Sequence, residues 1–341
     1  MSLLDLESFD GVTSAQLYSK WAGSQWNAPI LTFPAGRTGN CVHIVGTTIT
    51  KSHSLDFPLS SYTSSPDVIF GCALRYPYGV NYDVSVSALM GLRSYAGTEL
   101  VIQSDRNSPI TNVTVAGVSR GYIIPTYTIW QYWEVKFFSH ATTGTCIIKI
   151  NGTEVFNFTG DTLSNTAPKY IDFASNGNAD SNALEIDDFY CCDSAGSDFN
   201  DFLGPIRVET LYPDGDIESD FTTSSGTSHF DLVNDASDAT YVESLNINDQ
   251  DLYDYAPLTG IDIRAITGIK VESIISTPDS GARITQNVLK SNITESFGVQ
   301  QTIASPEYQM RHSIYEQDPN GPIAWTQSGV NALQAGLKIN G

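Results

Sequence analysis

The sequence predicts an all-β protein, built from two antiparallel β-sandwich (jelly-roll) domains in tandem. Apolar and polar residues alternate with period two in many short runs, whereas helical periodicity is nearly absent. Turn clusters separate these runs, and the 27 Gly and 17 Tyr residues suit strands and tight turns. The chain has 341 residues, which exceeds what one hydrophobic core usually supports, so we expect two domains.

The clearest strand predictions lie at 133–137, 146–150 and 153–158. In the first run Trp133, Val135 and Phe137 share one face, and charged residues occupy the other. The dipeptide Asn151-Gly152 separates the last two runs and is the strongest short-range hairpin signal. Shorter alternations predict strands around Val84 and Val86, Val113 and Val115, and Leu184 and Ile186.

A small, polar segment predicts the domain boundary. Its end, Gly204-Pro205, interrupts regular structure. We expect a first domain at 1–193, a linker at 194–205 and a second domain at 206–341. The features predicted for the second domain are a strand at 206–211, an acidic polar region at 214–254, strands at 261–265, 269–271 and 283–285, one short helix near 326–330 and a final strand at 332–339.

The charge of the chain excludes several classes of partner. Lys and Arg number 17 against 38 Asp and Glu, which gives a net charge of −21. Nucleic acids and anionic lipids are bound through clustered Lys and Arg, so we expect no nucleic-acid partner. The N-terminal residues lack a basic and an apolar region, and no apolar run approaches the roughly 20 residues that span a bilayer. We therefore expect synthesis in the cytoplasm without a signal peptide, and no membrane insertion.

The spacing of the cysteines does not match a metal site, and we expect no cofactor. The five residues Cys41, Cys72, Cys146, Cys191 and Cys192 are an odd set without the spacing of a metal site. We expect reduced, mostly buried thiols.

The first 190 residues contain an ordered series of elements. These elements are an opening strand at 7–11, a Gly-flanked second strand at 36–42, the run 132–136, the hairpin 143–152 and a closing strand at 184–190. Through this order, rather than through any single motif, the segment resembles the concanavalin A-like lectin/glucanase superfamily in its laminin-G-like form. The resemblance implies a β-sandwich.

After this first part, the chain continues with a segment at 200–204, a strand at 207–213 and a terminal strand at 330–338. In this two-part layout it resembles structural proteins of tailed bacteriophages. This resemblance implies a virion component on the capsid (decoration) or the tail (fibre or accessory protein). It also implies contacts with other virion proteins and homo-oligomers.

Glucanases of the superfamily present Glu, Asp and Glu on one strand face, and a retaining mechanism needs two carboxyl groups about 5–5.5 Å apart. Alternation places Glu185 and Asp187 on one face here, but Phe189 and Tyr190 stand where the second Glu is required. The five histidines also lack metal-binding spacing. We expect no enzymatic activity.

Aromatic residues offer the best binding candidates. They could form platforms for sugar rings or a protein interface, although core or loop positions are the simpler interpretation. The candidates are Tyr76, Tyr78, Tyr82, Tyr122, Tyr127 and Trp130.

An acidic series resembles a calcium loop, because Ca²⁺ prefers several oxygen ligands from one segment. The series is Asp214, Asp216, Glu218 and Asp220. Ser219 and Ser225 replace the Gly and the terminal Glu of an EF-hand, so a solvated acidic segment is the alternative to a structural Ca²⁺ site.

The sequence therefore leads to two functional hypotheses. The first is a non-enzymatic virion structural protein of a bacteriophage. The alternative is a glycan-binding adhesin that takes part in host recognition.

Overall fold

The computed structural model of the chain describes residues 2–23, 29–46, 52–77, 88–94, 97–104, 110–164, 166–176, 183–235, 237–259, 263–279 and 281–341. They form two compact units. The first unit is Met1–Asp10 with Trp21–Glu209, and the second is Gly11–Lys20 with Thr210–Gly341. Residues 194–209, predicted as linker and start of the second domain, therefore group with the first unit.

Within the described residues, the first unit is made of strands and one short 3-10 helix, Leu59–Ser61. Its strands are β1 (Leu3–Glu7), β2 (Ala22–Gly23), β3 (Ile30–Thr32), β4 (Val42–Val45), β5 (Ser52–Phe57), β6 (Asp67–Arg75), β7 (Ala88–Arg93), β8 (Thr98–Ser104), β9 (Thr111–Val115), β10 (Val118–Ile123), β11 (Gln131–Phe138), β12 (Gly144–Ile150), β13 (Thr153–Gly160), β14 (Tyr170–Asn176) and β15 (Leu184–Cys192).

These strands form two antiparallel sheets. In the described chain sheet A has the order β13-β12-β11-β6-β15-β4-β3, with β1 also paired to β15. Sheet B has the order β10-β9-β8-β7-β14-β5-β2. The sheets pack through aromatic rings: Trp21 lies 5.3 Å from Phe57 and 4.8 Å from Phe189 between ring centroids. This is a β-sandwich, and the predicted all-β class is confirmed.

The predicted hairpin is present between β12 and β13. Asn151 and Gly152 both have positive φ, 51° and 78°, as a type I′ turn requires. Two other strand predictions were wrong in position. The opening strand ends at Glu7, and residues 36–41 of the segment expected as a strand at 36–42 form a loop that precedes β4.

Within the described residues, the second unit contains two α-helices, α1 (Ser14–Lys20) and α2 (Gln327–Val330), and a 3-10 helix at Phe230–Leu232. Its strands are β16 (Pro213–Ser219), β17 (Thr222–Thr223), β18 (Val242–Glu243), β19 (Gln250–Tyr255), β20 (Ile269–Ile275), β21 (Arg283–Ser291), β22 (Thr294–Phe297), β23 (Gln301–Ile303), β24 (Gln309–Tyr315) and β25 (Gln334–Ile339).

The antiparallel sheet C has the order β16-β19-β25-β21-β22, with β23 also paired to β21. It packs against the two-stranded ribbon β20–β24. Val271 and Tyr315 from the ribbon share one core cluster with Leu289 and Ala335 from the sheet. Trp325, beside α2, joins that cluster.

Several predictions for the second unit are confirmed and others are corrected. The helix near 326–330 is α2, with Thr326 as its N-cap, and the final strand is β25. The strand expected at 206–211 is absent, and the backbone N–H of Val208 donates to the Asp188 side chain of β15. The acidic region 214–254 contains β16 to β19. Residues 263–265 form no strand, and 261 and 262 lie outside the described residues, as do Val84 and Val86.

The helix α1 was missed in the sequence. Thr13 and Gln16 exchange hydrogen bonds between backbone N–H groups and side-chain oxygens, at 2.8 and 3.3 Å. This Thr-x-x-Gln pattern is a capping box, and it was the available signal. No helix in the described part of the chain is long and apolar enough to cross a membrane. All five cysteines are buried and free.

Candidate functional site

The aromatic candidates do not lie together. Tyr76 and Tyr127 are buried, with ring centroids 5.7 Å apart, and the hydroxyl of Tyr127 bonds to Thr111. Tyr122 is 63% exposed on β10, at an edge of sheet B. Trp130 is half-buried beside the start of β11. Tyr78 and Tyr82 lie outside the described residues. Ligand binding by this set stays a prediction.

A polar row on sheet A brings Trp130 together with residues that the sequence did not assign to a site. His43 of β4 and Arg75 of β6 both stand opposite Glu185 of β15 in the antiparallel register. The Arg75 guanidinium carbon lies 4.5 Å from the centroid of the Trp130 ring. We call His43, Glu185, Arg75 and Trp130 the polar row. It forms because Leu184 and Ile186 turn into the core, and alternation directs Glu185 to the other face.

Glu185 is the fixed centre of the polar row. It is only 4% exposed, its Oε1 lies 3.0 Å from Nδ1 of His43, and its Oε2 accepts a hydrogen bond from Nε of Arg75. Burial acts to raise the pKa of Glu185, but the hydrogen bonds from His43 and Arg75 outweigh burial and lower the pKa below its ordinary value. Glu185 is therefore an ionised anchor that orients its two neighbours.

Asp187, two residues further along the same face, is inaccessible. Its Oδ2 accepts from the backbone N–H groups of Arg37 and Thr38 at 2.7 and 3.0 Å, and its Oδ1 accepts from that of Asp188 at 2.8 Å. Burial, and then the neighbouring Asp188, raise the pKa of Asp187 to about 7. The carboxyl group holds the loop that precedes β4.

The polar row presents a cation and an aromatic ring to solvent, and its one carboxyl group, that of Glu185, is buried. The Arg75 side chain is 28% exposed, and among the described residues its two terminal nitrogens have no hydrogen-bond partner. Arginine donates hydrogen bonds in a planar fork, and an indole ring offers an apolar face. This combination can hold a polar ligand that also has an apolar face.

A segment without regular structure crosses the same face of sheet A. We call residues 196–209 the strap. The backbone N–H of Gly204 donates to Oε1 of Glu134 at 2.8 Å, and that of Val208 donates to Oδ1 of Asp188 at 2.8 Å. The strap covers the middle of the face, whereas the polar row lies at its end.

The acidic series of the second unit is dispersed along β16. Asp216 accepts from the backbone N–H groups of His229 and Phe230, whereas Glu218 accepts from the Gln250 side chain and Asp220 from the Gln250 backbone. Asp214 is exposed. No group of three or more metal-ligating side chains converges among the described residues. The Ca²⁺ site stays a prediction, and the residues present do not point at a common centre.

A histidine–carboxylate pair in the second unit also escaped the sequence analysis. Nδ1 of His229 lies 2.7 Å from Oδ2 of the buried Asp251. Asp251 also accepts from the hydroxyl of Tyr253 at 3.0 Å and from the backbone N–H of Phe221 at 2.9 Å. These bonds join β19 to Phe221, between β16 and β17, and to His229, before the 3-10 helix, which is a structural role. A lone His in a polar sequence gives no signal for such a partner.

No protein-family model matches the sequence, and no curated protein matches it. Solved structures similar to the chain include a carbohydrate esterase from the Shiga toxin-encoding bacteriophage phi24B. That match has 13% identity and a TM-score of 0.39, and it covers 56% of this chain and 97% of that one. The alginate lyase Aly36B matches at 12% identity and a TM-score of 0.35, over 56% and 95% of the two chains. The carbohydrate recognition domain of Emp47p matches at 13% identity and a TM-score of 0.35, over 56% and 94%.

These comparisons correct one expectation. The sequence predicts a protein without enzymatic activity, but the similar structures include a carbohydrate esterase and alginate lyases, so that prediction is withdrawn. At identities of 13% or less and TM-scores below 0.4, the likeness assigns no activity and no ligand to this chain.

Proposed function

We propose that the protein binds carbohydrate through the polar row at the end of sheet A. The observation that carries this proposal is the contact of Arg75 with both Glu185 and Trp130. An aromatic ring beside convergent hydrogen-bond donors suits a sugar ring, because such a ring has an apolar face and a hydroxylated rim. Glu185 fixes the donor before the ligand arrives, which reduces the entropy lost on binding.

Glycan binding by the wild type and by Trp130→Ala tests the proposal. We expect a saturable signal on a glycan array, followed by a loss of affinity of about tenfold or more in the variant, equivalent to about 1.4 kcal/mol. Tyr241→Ala is the matched control, since Tyr241 is 40% exposed and belongs to the second unit. Equal affinity of wild type and Trp130→Ala for every bound glycan would exclude the polar row as the site.

A virion structural role is the second candidate. The second unit exposes large apolar side chains, including Leu245 at 79%, Ile293 at 85% and Val299 at 74%. Such side chains suit attachment to other proteins of a bacteriophage particle, or to further copies of this chain. Immunogold electron microscopy with antibody against 205–341 tests this role on purified particles. Label on the capsid or tail supports it, whereas intact, accessible particles without label contradict it.

A further inference from the structure

We infer that the strap is a displaceable cover over the central part of the proposed carbohydrate-binding face, and that it opens for long glycans. The inference rests on the proposed function and adds its regulation. Arg75 and Gly71 lie on the same face of β6, four residues apart, which is about 13 Å along a strand. A ligand that extends from the polar row along this face therefore reaches the strap.

The strap is attached without a backbone ladder. None of its residues lies in a strand or helix, and its backbone N–H groups at Gly204 and Val208 donate to side chains of sheet A. The N–H of Leu203 donates to the hydroxyl of Tyr190 at 3.2 Å. Arg37 donates to the carbonyl of Ile206 at 2.8 Å. Segments held in this way open locally at lower free energy than paired strands.

The surface under the strap is polar and aromatic. Tyr190, Gly71, Glu134 and Lys149 stand in register across four strands, from β15 to β12. Glu134 is 1% exposed, and its Oε2 has no hydrogen-bond partner among the described residues. Such a carboxylate oxygen is an unused acceptor for a ligand hydroxyl, since burial without a partner is costly.

The side chains of the strap add weak anchors. The Lys136–Asp201 ion pair is exposed and therefore contributes little. The Lys149 ammonium lies 4.2 Å from the centroid of the Phe202 ring. The strap thus occupies acceptors and rings that a glycan could use, and its backbone N–H groups take the place of ligand hydroxyl groups.

Gly204→Ala loosens the strap selectively. Gly204 has a φ of +81°, and a Cβ there would meet nothing within 4 Å, so the substitution adds backbone strain without a clash. Strain of this kind shifts the equilibrium between the closed and the open strap about tenfold toward the open state. Gly226→Ala is the matched control, because Gly226 has a φ of +67°, equally open surroundings and a position in the second unit.

Hydrogen exchange without ligand gives the first test. We expect the amides of 200–208 to exchange faster than those of β11 in the wild type, and about tenfold faster again in Gly204→Ala. Gly226→Ala should leave them unchanged. Exchange of the strap at the rate of β11 would overturn the inference, whether or not a glycan binds.

Calorimetric titration gives the second test, with cellohexaose, maltohexaose and chitohexaose and the corresponding disaccharides as probes. We expect Gly204→Ala to bind the hexasaccharides about tenfold more tightly than the wild type and to bind the disaccharides with unchanged affinity. Only the longer ligand requires the open state of the strap, so only its affinity depends on the population of that state. Faster exchange without tighter hexasaccharide binding would overturn the inference and leave the proposed function standing. If neither length binds to either protein, the proposed function falls as well.

Discussion

At the scale of single residues, Glu185 shows how one buried side chain organises a surface. Its two oxygens are taken by His43 and Arg75, which come from the strands on either side. Removal of a buried charge is costly when its partners remain, because they lose their hydrogen bonds and stay partly desolvated.

We expect Glu185→Gln to lower the free energy of unfolding of the first unit by about 1–3 kcal/mol, the range for a hydrogen-bonded and largely buried pair with one partly exposed partner. Urea denaturation followed by tryptophan fluorescence measures this. Glu154→Gln, at an exposed position, is the control and should change stability little. Equal stability of the two variants would show that Glu185 is dispensable for the local structure.

The buried residue Asp172 is expected to make the free energy of unfolding depend on pH. Burial, and then the opposing Asp56, raise the pKa of Asp172 to about 7. The folded chain therefore keeps a proton that the unfolded chain releases near its ordinary pKa, so stability falls as the pH rises from about 4 to about 7.

We expect Asp172→Asn to make this dependence shallower, with the remainder due to Asp187, whose pKa is also raised to about 7, and to raise the free energy of unfolding at pH 8 by about 1.4 kcal/mol for each unit of pKa difference removed. Denaturant titrations from pH 4 to 8 give the slope. Asp214→Asn, at an exposed position, should leave the slope unchanged. A wild-type slope that survives in Asp172→Asn would assign the titration to another group.

At the scale of elements, α1 is a short helix whose ends are determined locally. Its capping box satisfies N–H groups at the first turn, and Leu17 is fully buried. The helix contacts the rest of the second unit in two ways. The backbone N–H of Met310 donates a hydrogen bond to Ser19 at 2.8 Å, and Lys20 and Glu272 form an ion pair at 3.3 Å.

We expect Thr13→Ala to destabilise the second unit by about 1 kcal/mol, the usual cost of losing an N-cap. Hydrogen exchange of α1 and β24 reports the change. Ser225→Ala, on an exposed loop of the same unit, is the control. Unchanged protection of both elements in Thr13→Ala would contradict the role of the cap.

At the scale of the whole molecule, the chain does not divide at one point. Gly11–Lys20 groups with the second unit, although the residues before and after it group with the first. The sequence predicts the whole of 1–193 in the first domain, because composition and periodicity report local structure and not the unit to which a segment contributes.

We expect a fragment of residues 206–341 to be less stable than the same fragment joined through a flexible linker to 11–20. The difference should be about 2 kcal/mol or more, the contribution of burying one leucine side chain. Circular dichroism during urea denaturation compares the two fragments. Identical midpoints would show that the second unit is complete without α1.

The sequence by itself determined the all-β class, the Asn151-Gly152 hairpin, the helix α2 and the strand β25, because alternation, turn chemistry and capping act over a few neighbouring residues. It also placed Glu185 on a surface of its strand. Only the tertiary structure decided that His43, Arg75 and Trp130 meet there, that Tyr76 and Tyr127 are buried, and that the strap lies on sheet A. These contacts join residues far apart in the chain, and strand order and register, which bring them together, have no local signal in a single sequence.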